Sequence, residues 1–468
     1  MAGFFRAPDR RQSYLLPMDM MDWLPAGDIV HLVVDAVELM DLSAFEADHR
    51  VGGAGQAPFD PKVLLALLIY AYSQGVRSSR KIERLCERDA GYRFIVGERV
   101  PDHTVIARFR RRHSARMAEV FRHVLKMCHE AGLVRLGLVA LDGTKVQANA
   151  ALDANRTAES IDAQIKRMMD EAETTDQQED DRYGAERGDE VPADLRNRQD
   201  RLARLKACQQ RLQQDAEAQA AQQQAKLDAR AAEEQASGKR KRGRKPKAPD
   251  NSVDPKAVAN PTDPDSRIMK TQRGWVQGYN AQAVVTRDQI ILAADITNAA
   301  NDVQQLGGML AQAEGNAAVA RDADAELGAV VADAGYWSGD NVKAEQPGCE
   351  LFIATKKDHK QRAELRDAPP PRGRIPKNMS ARERMDRKLR TKRGRAIYAQ
   401  RSQTVEPVFG HMKDGQGAGR FSMRGLDACR GEWQLDAAVY NLRKLHRESV
   451  QPAANSNKKA GKSPGQDG

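Results

Sequence analysis

Asp142 ends the short apolar run Val139–Leu141 and is followed at once by Gly143, Thr144 and Lys145. Asp333 ends a second such run, LGAVVA over 327–332, and Ala-Gly-Tyr-Trp follows. A third acid, Glu406, stands in QTVEPVFGHMK over 403–413. Apolar runs of this length, rich in branched residues and ended by a turn signal, read as buried strands. A carboxylate at the end of such a strand costs solvation energy unless a cation or donors meet it. One Asp alone reads as a cap of the following turn. Two strands of one α/β unit, each releasing an Asp at its carboxyl end, can gather carboxylates in the crevice where such sheets place ligands. Glu406 and Lys413 lie seven residues apart, on one helical face and roughly 10 Å from one another. Pro407 requires a helix start or a kink there, which presents Glu406 outward.

The elements that must position these acids follow from pattern. Residues 1–130 read as an all-helical domain. Asp28–Met40 turns Ile29, Val33, Val37 and Met40 to one face, and Pro61 opens a buried helix over VLLALLIYAY. SRKIERLCERD and the helix capped by Asp102 follow. The second of these carries Arg108, Arg110, Arg111 and Arg112, and the pair resembles a helix-turn-helix DNA reader joined by an overlong DAGYRFIVGERVP. The other reading is a helical bundle with a solvated basic face; both suit phosphate contacts. Residues 131–155 hold the first strand. Over Arg156–Gln235 the composition turns to Ala, Gln, Glu, Asp and Arg. Ile161, Ile165 and Met168, then Leu195, Leu202, Leu205 and Leu212, trace a heptad-like seam. A protruding antiparallel coiled-coil arm is expected, its helices separated by the polar stretch Thr174–Pro192, with a charged, partly disordered insertion as the alternative.

The insertion, 156–250 in all, ends in KRKRGRKPK over 239–247, seven basic residues in nine. That run resembles an AT-hook and suits unspecific nucleic-acid contact. Order resumes over 265–447: a β-hairpin turning at Thr286–Gln289, a helix over Asp302–Ala313, the strand ending at Asp333, a strand over Cys349–Thr355, and an Arg-rich helical segment. Residues 448–468 read as a disordered tail.

The 468 residues carry 75 Lys and Arg against 65 Asp and Glu, a net charge of +10 that suggests a polyanionic partner. The five cysteines stand far apart in no metal-ligand spacing, arguing for a reducing compartment and against a zinc site. MAGFFRAPDRR lacks the apolar core of a signal peptide, and no stretch reaches membrane-spanning length. A cytoplasmic protein is expected.

Taken together, VALDGTKVQANA around Asp142, VVADAGYWSG around Asp333 and YAQRSQTVEPVFGHMKDG around Glu406 resemble the DDE transposases of bacterial insertion sequences. The likeness is to the IS-four-type group, most closely its eleven-eighty-two branch. FDPKVLLALLIYAYSQGVRSSRKIERLCERD and RFSMRGLDACRGEWQLDAAVYNLRKLHR resemble the same branch, so the likeness spans about residues 1–447. It implies an α/β, RNase H-like catalytic core, a mixed sheet flanked by helices, in which Asp142, Asp333 and Glu406 hold two Mg²⁺ ions, with Mn²⁺ able to substitute. Two such ions suit in-line phosphoryl transfer, and oxygen ligands suit Mg²⁺.

The group's Tyr-Arg-Glu-Lys signature falls on Tyr398, Arg401, Glu406 and Lys413. Arg401 stands five residues before Glu406 where the signature has four, a turn of about 140° that takes it off the face of Glu406. Lys413, Arg420 and Arg424 are expected on the DNA backbone. Tyr336 and Trp337 read as core aromatics or as a stacking platform for an unpaired base. The implied activity is binding of terminal inverted repeats, cleavage at the element's ends and joining to target DNA, by a homodimer on double-stranded DNA in the bacterial nucleoid. The alternatives are a catalytically silent DNA-binding regulator and a nuclease that cuts without joining.

Overall fold

The computed structural model describes residues 19–47, 58–183, 193–240, 242–271, 274–343, 345–376 and 378–460. The N-terminal part is helical: α1 (Ile29–Glu38), α2 (Ser43–Glu46), α3 (Pro61–Ser73), α4 (Ser79–Arg88), α5 (Ala90–Val96), α6 (His103–Arg112) and α7 (Met117–Glu130). Their starts are chemically marked. Asp28, Asp60, Asp89 and Asp102 each accept a backbone N–H of the following turn, and Pro61 occupies the first turn of α3. The stretch expected to be an overlong turn between α4 and α6 instead holds α5, so these two helices are not joined as in a helix-turn-helix.

Strand β1 (Gly137–Gln147) opens the sheet. The arm leaves from β2 (Arg156–Thr157), runs through α8 (Ala158–Tyr183) and α9 (Ala193–Ser237), and returns at β3 (Val258–Ala259), which pairs antiparallel with β2. α8 continues through much of the stretch read as the connection; 184–192 lie outside the described residues, as does Lys241 of the basic run. Gln209 donates to Asp162 at 2.8 Å and Arg201 to Gln164 at 3.5 Å, so α8 and α9 run antiparallel. Ile161 and Ile165 pack with Leu205, Cys208 and Leu212 in a small core of the arm's own.

β4 (Arg267–Thr271), β5 (Gly274–Thr286) and β6 (Ile291–Thr297) follow, then α10 (Leu306–Arg321), β7 (Gly328–Ala332), α11 (Gly339–Lys343) and β8 (Cys349–Ile353). The helix expected from Asp302 thus begins at Leu306, and Asp302 lies in the loop before it. The chain closes with α12 (Asp358–Asp367), α13 (Ala381–Arg390), α14 (Lys392–Tyr398), α15 (Arg401–Thr404), α16 (Glu406–Gly410) and α17 (Leu426–Ala460). α17 runs on into the segment expected to be a disordered tail, of which 461–468 lie outside the described residues.

The sheet is mixed. Its order is β4-β5-β1-β7-β8, with β6 on the second half of β5; β5 is antiparallel to β1, whereas β7 lies parallel to β1 and β8 to β7. Gly328 lets β1 and β7 start close together. Its φ is +79°, and a Cβ there would stand 2.5 Å from the Gly137 carbonyl oxygen. Helices α10 and α17 pack on β6, and α7 packs on both, so the N-terminal helices share one continuous core with the sheet. Arg77, at the end of the α3–α4 loop, ties the parts together by pairing with the buried Glu432 and Asp436 of α17 and donating to the Gln416 carbonyl. No helix among the described residues is long and apolar enough to cross a membrane, and all five cysteines are buried thiols.

Candidate active site

β1 and β7 run parallel in the register Leu141↔Ala332, which sets the next residues side by side: Asp333 just past the end of β7, and Asp142 inside β1, which runs on to Gln147 paired with β5 rather than ending at the acid. Asp142 accepts the Gly143 N–H at 2.8 Å with Oδ1 and Arg401 Nη1 at 2.8 Å with Oδ2. Asp333 accepts the Gly335 N–H at 2.8 Å and caps a turn of 3₁₀ helix, Ala334–Tyr336. The cap reading of Asp333 therefore holds locally, and the carboxylate still faces its neighbour. Burial, with Asp333 and Asp302 adding to it and Arg401 and the Gly143 N–H opposing it, raises the Asp142 carboxyl to about 7. Burial raises Asp333 as well, with the Gly335 N–H and Arg401 opposing and Asp302 adding to the rise.

Glu406 comes to the same place from α16, and Arg401 is the link. Its guanidinium lies 2.8 Å from Asp142, 3.3 Å from Asp358 and 3.7 Å from Glu406. Helical counting takes Arg401 off the Glu406 face, but the helix is not continuous. α15 ends at Thr404, α16 starts at Glu406, and Pro407 has no N–H for the Gln403 carbonyl. Gln289, at the β5–β6 turn, donates to that carbonyl instead at 3.0 Å. The break restores the aim that the extra residue would remove.

Tyr398 is buried beside Arg401, its hydroxyl without a hydrogen-bond partner among the described residues, and burial raises it to about 12. Tyr398, Arg401, Arg362, Arg366 and Arg395 line a cavity of about 330 Å³ next to the acids. Past Glu406 the chain enters a π turn, His411–Gly415, rather than the regular helix assumed. Lys413 from that turn donates to Thr144 Oγ1 and, at 3.0 Å, to the Lys145 carbonyl, beside Asp142 on β1. Burial lowers its pKa, against the pull of Asp414. Arg420 is exposed where the chain bridges to Gln147, and Arg424 donates to the Asn149 carbonyl at 3.0 Å, so both continue along the outer end of β1.

Other expected residues fall elsewhere. Arg108, Arg111 and Arg112 are exposed on α6, but Arg110 turns inward and donates to the Arg77 carbonyl at 2.8 Å. Arg110 braces the fold, and its expected place on a DNA-facing surface is corrected. Tyr336 is fully buried with its hydroxyl donating to Gln282, so it is a core residue and no stacking platform; Trp337 packs partly buried against the same core.

Among the described residues, the group of potential metal-ligating side chains whose ligand atoms all lie within 4.8 Å of one another is Glu83, Asp102 and His103. Its contacts are a helix cap and an ion pair: Asp102 accepts the Thr104 N–H at 2.7 Å, and His103 Nδ1 is 2.9 Å from Glu83. The acids around Arg401 are more widely spread.

Two family models match the chain: a transposase domain, DUF772, over residues 18–112, and a transposase DDE domain over 371–446. Both matches indicate an insertion-sequence DDE transposase. The DDE match takes in Tyr398, Arg401, Glu406, Lys413, Arg420 and Arg424, and the first match takes in the arginines of α6. No curated protein and no solved structure matched the chain. Sequence reasoning passed over three residues that touch the site: Asp358 and Arg362, which pair with each other at 2.9 Å and with Arg401 and Glu406 respectively, and Asp302. A signal for Asp302 lay in β5. Asn280 and Gln282 are polar and two residues apart, hence on one face, in a stretch of β5 where Tyr279, Ala281, Ala283 and Val284 surround them.

Proposed function

We propose that this chain binds the terminal inverted repeats of an insertion sequence, cuts DNA at the element's ends and joins the freed 3′ ends to target DNA. One observation carries the reading. Asp142, Asp333 and Glu406, from two adjacent parallel strands and a broken helix, gather around a single guanidinium. A cation is already favoured at that spot, and Arg401 stands there. The chemistry of the donor set, acid oxygens with no sulfur or imidazole among them, fits Mg²⁺ or Mn²⁺. Asp142, Asp333 and Glu406 would hold the ions, two per site. Bound there, they supply the Lewis acidity for in-line phosphoryl transfer. The sheet order β6-β5-β1-β7-β8, antiparallel on one side of β1 and parallel on the other, supports an RNase H-like core.

The chain's own residues would do the rest. Lys413, Arg420 and Arg424 carry the DNA backbone along β1, and Arg401 and Tyr398 offer donors to a phosphate in the cavity they line. Arg108, Arg111 and Arg112 give the helical N-terminal part an electrostatic footprint on the repeat. Two copies, each held on one element end, form the working unit on DNA in the nucleoid.

The test uses an inverted-repeat duplex with Mg²⁺. The parent is expected to cut and join it, whereas Asp142→Asn, Asp333→Asn and Glu406→Gln lose both steps and bind the duplex in EDTA as the parent does. Mg²⁺-dependent cutting that survives in any one variant removes that residue from the site. Cutting without joining by the parent would mark a nuclease, and binding without cutting a regulator.

A further inference from the structure

Asp302 lies in the loop between β6 and α10, beside the acids and outside any role given so far. Its Oδ1 accepts two side-chain amides, Asn280 Nδ2 at 2.6 Å and Gln282 Nε2 at 2.8 Å. The Gln282 amide is oriented in turn by the buried Tyr336 hydroxyl, which donates to its Oε1. One oxygen of Asp302 is therefore saturated, and the side chain is fixed. The other, Oδ2, takes no hydrogen bond among the described residues. It faces the space over Gly335: a Cβ on that glycine would stand 3.1 Å from Asp302 Oδ2 and 2.9 Å from Asp333 Oδ1. Two carboxylates thus look into one space that a glycine keeps clear.

A second observation concerns Asn280, which also holds Asp302 Oδ1. Asn280 is fully buried, and its Oδ1 has no hydrogen-bond partner among the described residues. That oxygen lies over Gly143, the residue after Asp142, where a Cβ would stand 2.4 Å from Gln282 Nε2, 2.7 Å from Asp302 Oδ1 and 3.0 Å from Asn280 Oδ1 itself. Leaving a buried amide oxygen unpaired costs about 1–3 kcal/mol, and a metal ion or the water that ion carries would satisfy it. Lys145 stands 3.8 Å from Asp302 Oδ1 but gives its hydrogen bond to the Ala300 carbonyl at 2.9 Å. It leaves Oδ2 open.

We propose that Asp302 is a fourth carboxylate of the divalent-metal centre, ligating beside Asp333 through Oδ2, with Asn280 and Gln282 as the positioning residues that aim it. This rests on the two-metal reading of Asp142, Asp333 and Glu406. Carboxylates that ligate metal are commonly held in this way, and loss of the supporting contact weakens metal binding by roughly 10- to 100-fold.

The experiment is a calorimetric Mn²⁺ titration of the full chain, with melting in EDTA as the check on folding. Asp302→Asn keeps the shape, removes the charge, and is expected to weaken Mn²⁺ at least about 10-fold while melting in EDTA no lower than the parent. Parental Mn²⁺ affinity in Asp302→Asn, together with lost affinity in Asp333→Asn, overturns the role of Asp302 and leaves the other three acids in place. A parent that binds no Mn²⁺ overturns both readings. If Asp302→Asn does not fold, Asp302→Glu decides: several-fold weaker binding supports the assignment, and unchanged binding defeats it.

Discussion

Arg401 satisfies Asp142, Asp358 and Glu406 at once while itself being almost wholly buried. Removing one partner of a buried pair usually costs roughly 3–5 kcal/mol, because the other charge is left without compensation. Here the cost depends on pH. The folded pKa of Asp142 is raised from 3.8 to about 7, so this carboxyl takes stability away as the pH rises from about 4 to about 7 and adds little change above that. Without Arg401 the carboxyl rises further, and the loss continues past 7. Arg401→Ala in EDTA is therefore expected to melt close to the parent near pH 5 and to fall progressively behind it above about pH 7. Urea midpoints across that range decide the matter. A deficit that shrinks with rising pH would mean that Arg401 is not the counter-charge of Asp142.

At the scale of elements, the legible part was what depends on local pattern. The runs 139–141 and 327–332 are strands, and both deliver their acids because parallel register is a property of neighbouring strands. The turn near Thr286–Gln289 and the start of a helix at Pro407 follow from residue chemistry too. Helical counting takes Arg401 off the Glu406 face because it assumes an unbroken 3.6-residue turn across Val405, where α15 ends and α16 begins. Asp302 stayed out of sight because a loop places it, and loops carry no period. Arg110 was misjudged in the opposite way: an arginine cluster reads as one surface, yet every helix has an inner side.

The break at Val405 has a testable consequence. Pro407→Ala restores an N–H that competes with Gln289 for the Gln403 carbonyl and lets α15 and α16 join into one helix. Glu406 then swings away from Arg401 by about 140°. Single-turnover cleavage is expected to fall by about 10-fold or more, with an equal or higher urea midpoint. Undiminished cleavage would show that the break does not aim Glu406.

At the scale of the whole molecule, the arm is a packing unit of its own. Its apolar side chains form their own cluster, and the ion pair of Arg267 with Asp215 at 2.7 Å is a tie back to the sheet. Thr157 and Val258 are paired neighbours across the β2–β3 ladder, so an Asn-Gly turn can join them directly. A chain shortened in this way is expected to keep one cooperative melting transition and to lose unspecific DNA affinity with the basic run 239–247. Loss of the cooperative transition would make the arm part of the core.

The same ladder bears on how the chain reaches its fold. β1 pairs with β5 along the whole stretch from Val139↔Thr286 to Gln147↔Gly278, although the entire arm separates them in sequence. Bringing such distant ends together carries a loop-closure entropy that grows with the logarithm of the intervening length, and non-local pairings of this kind slow folding. Helices form faster than sheets. Once α8 and α9 have paired and zipped down to β2 and β3, only the short segments 148–155 and 260–273 remain to be closed. An arm that folds first is a splint for assembly: it turns the pairing of β1 with β5 into a nearly local one.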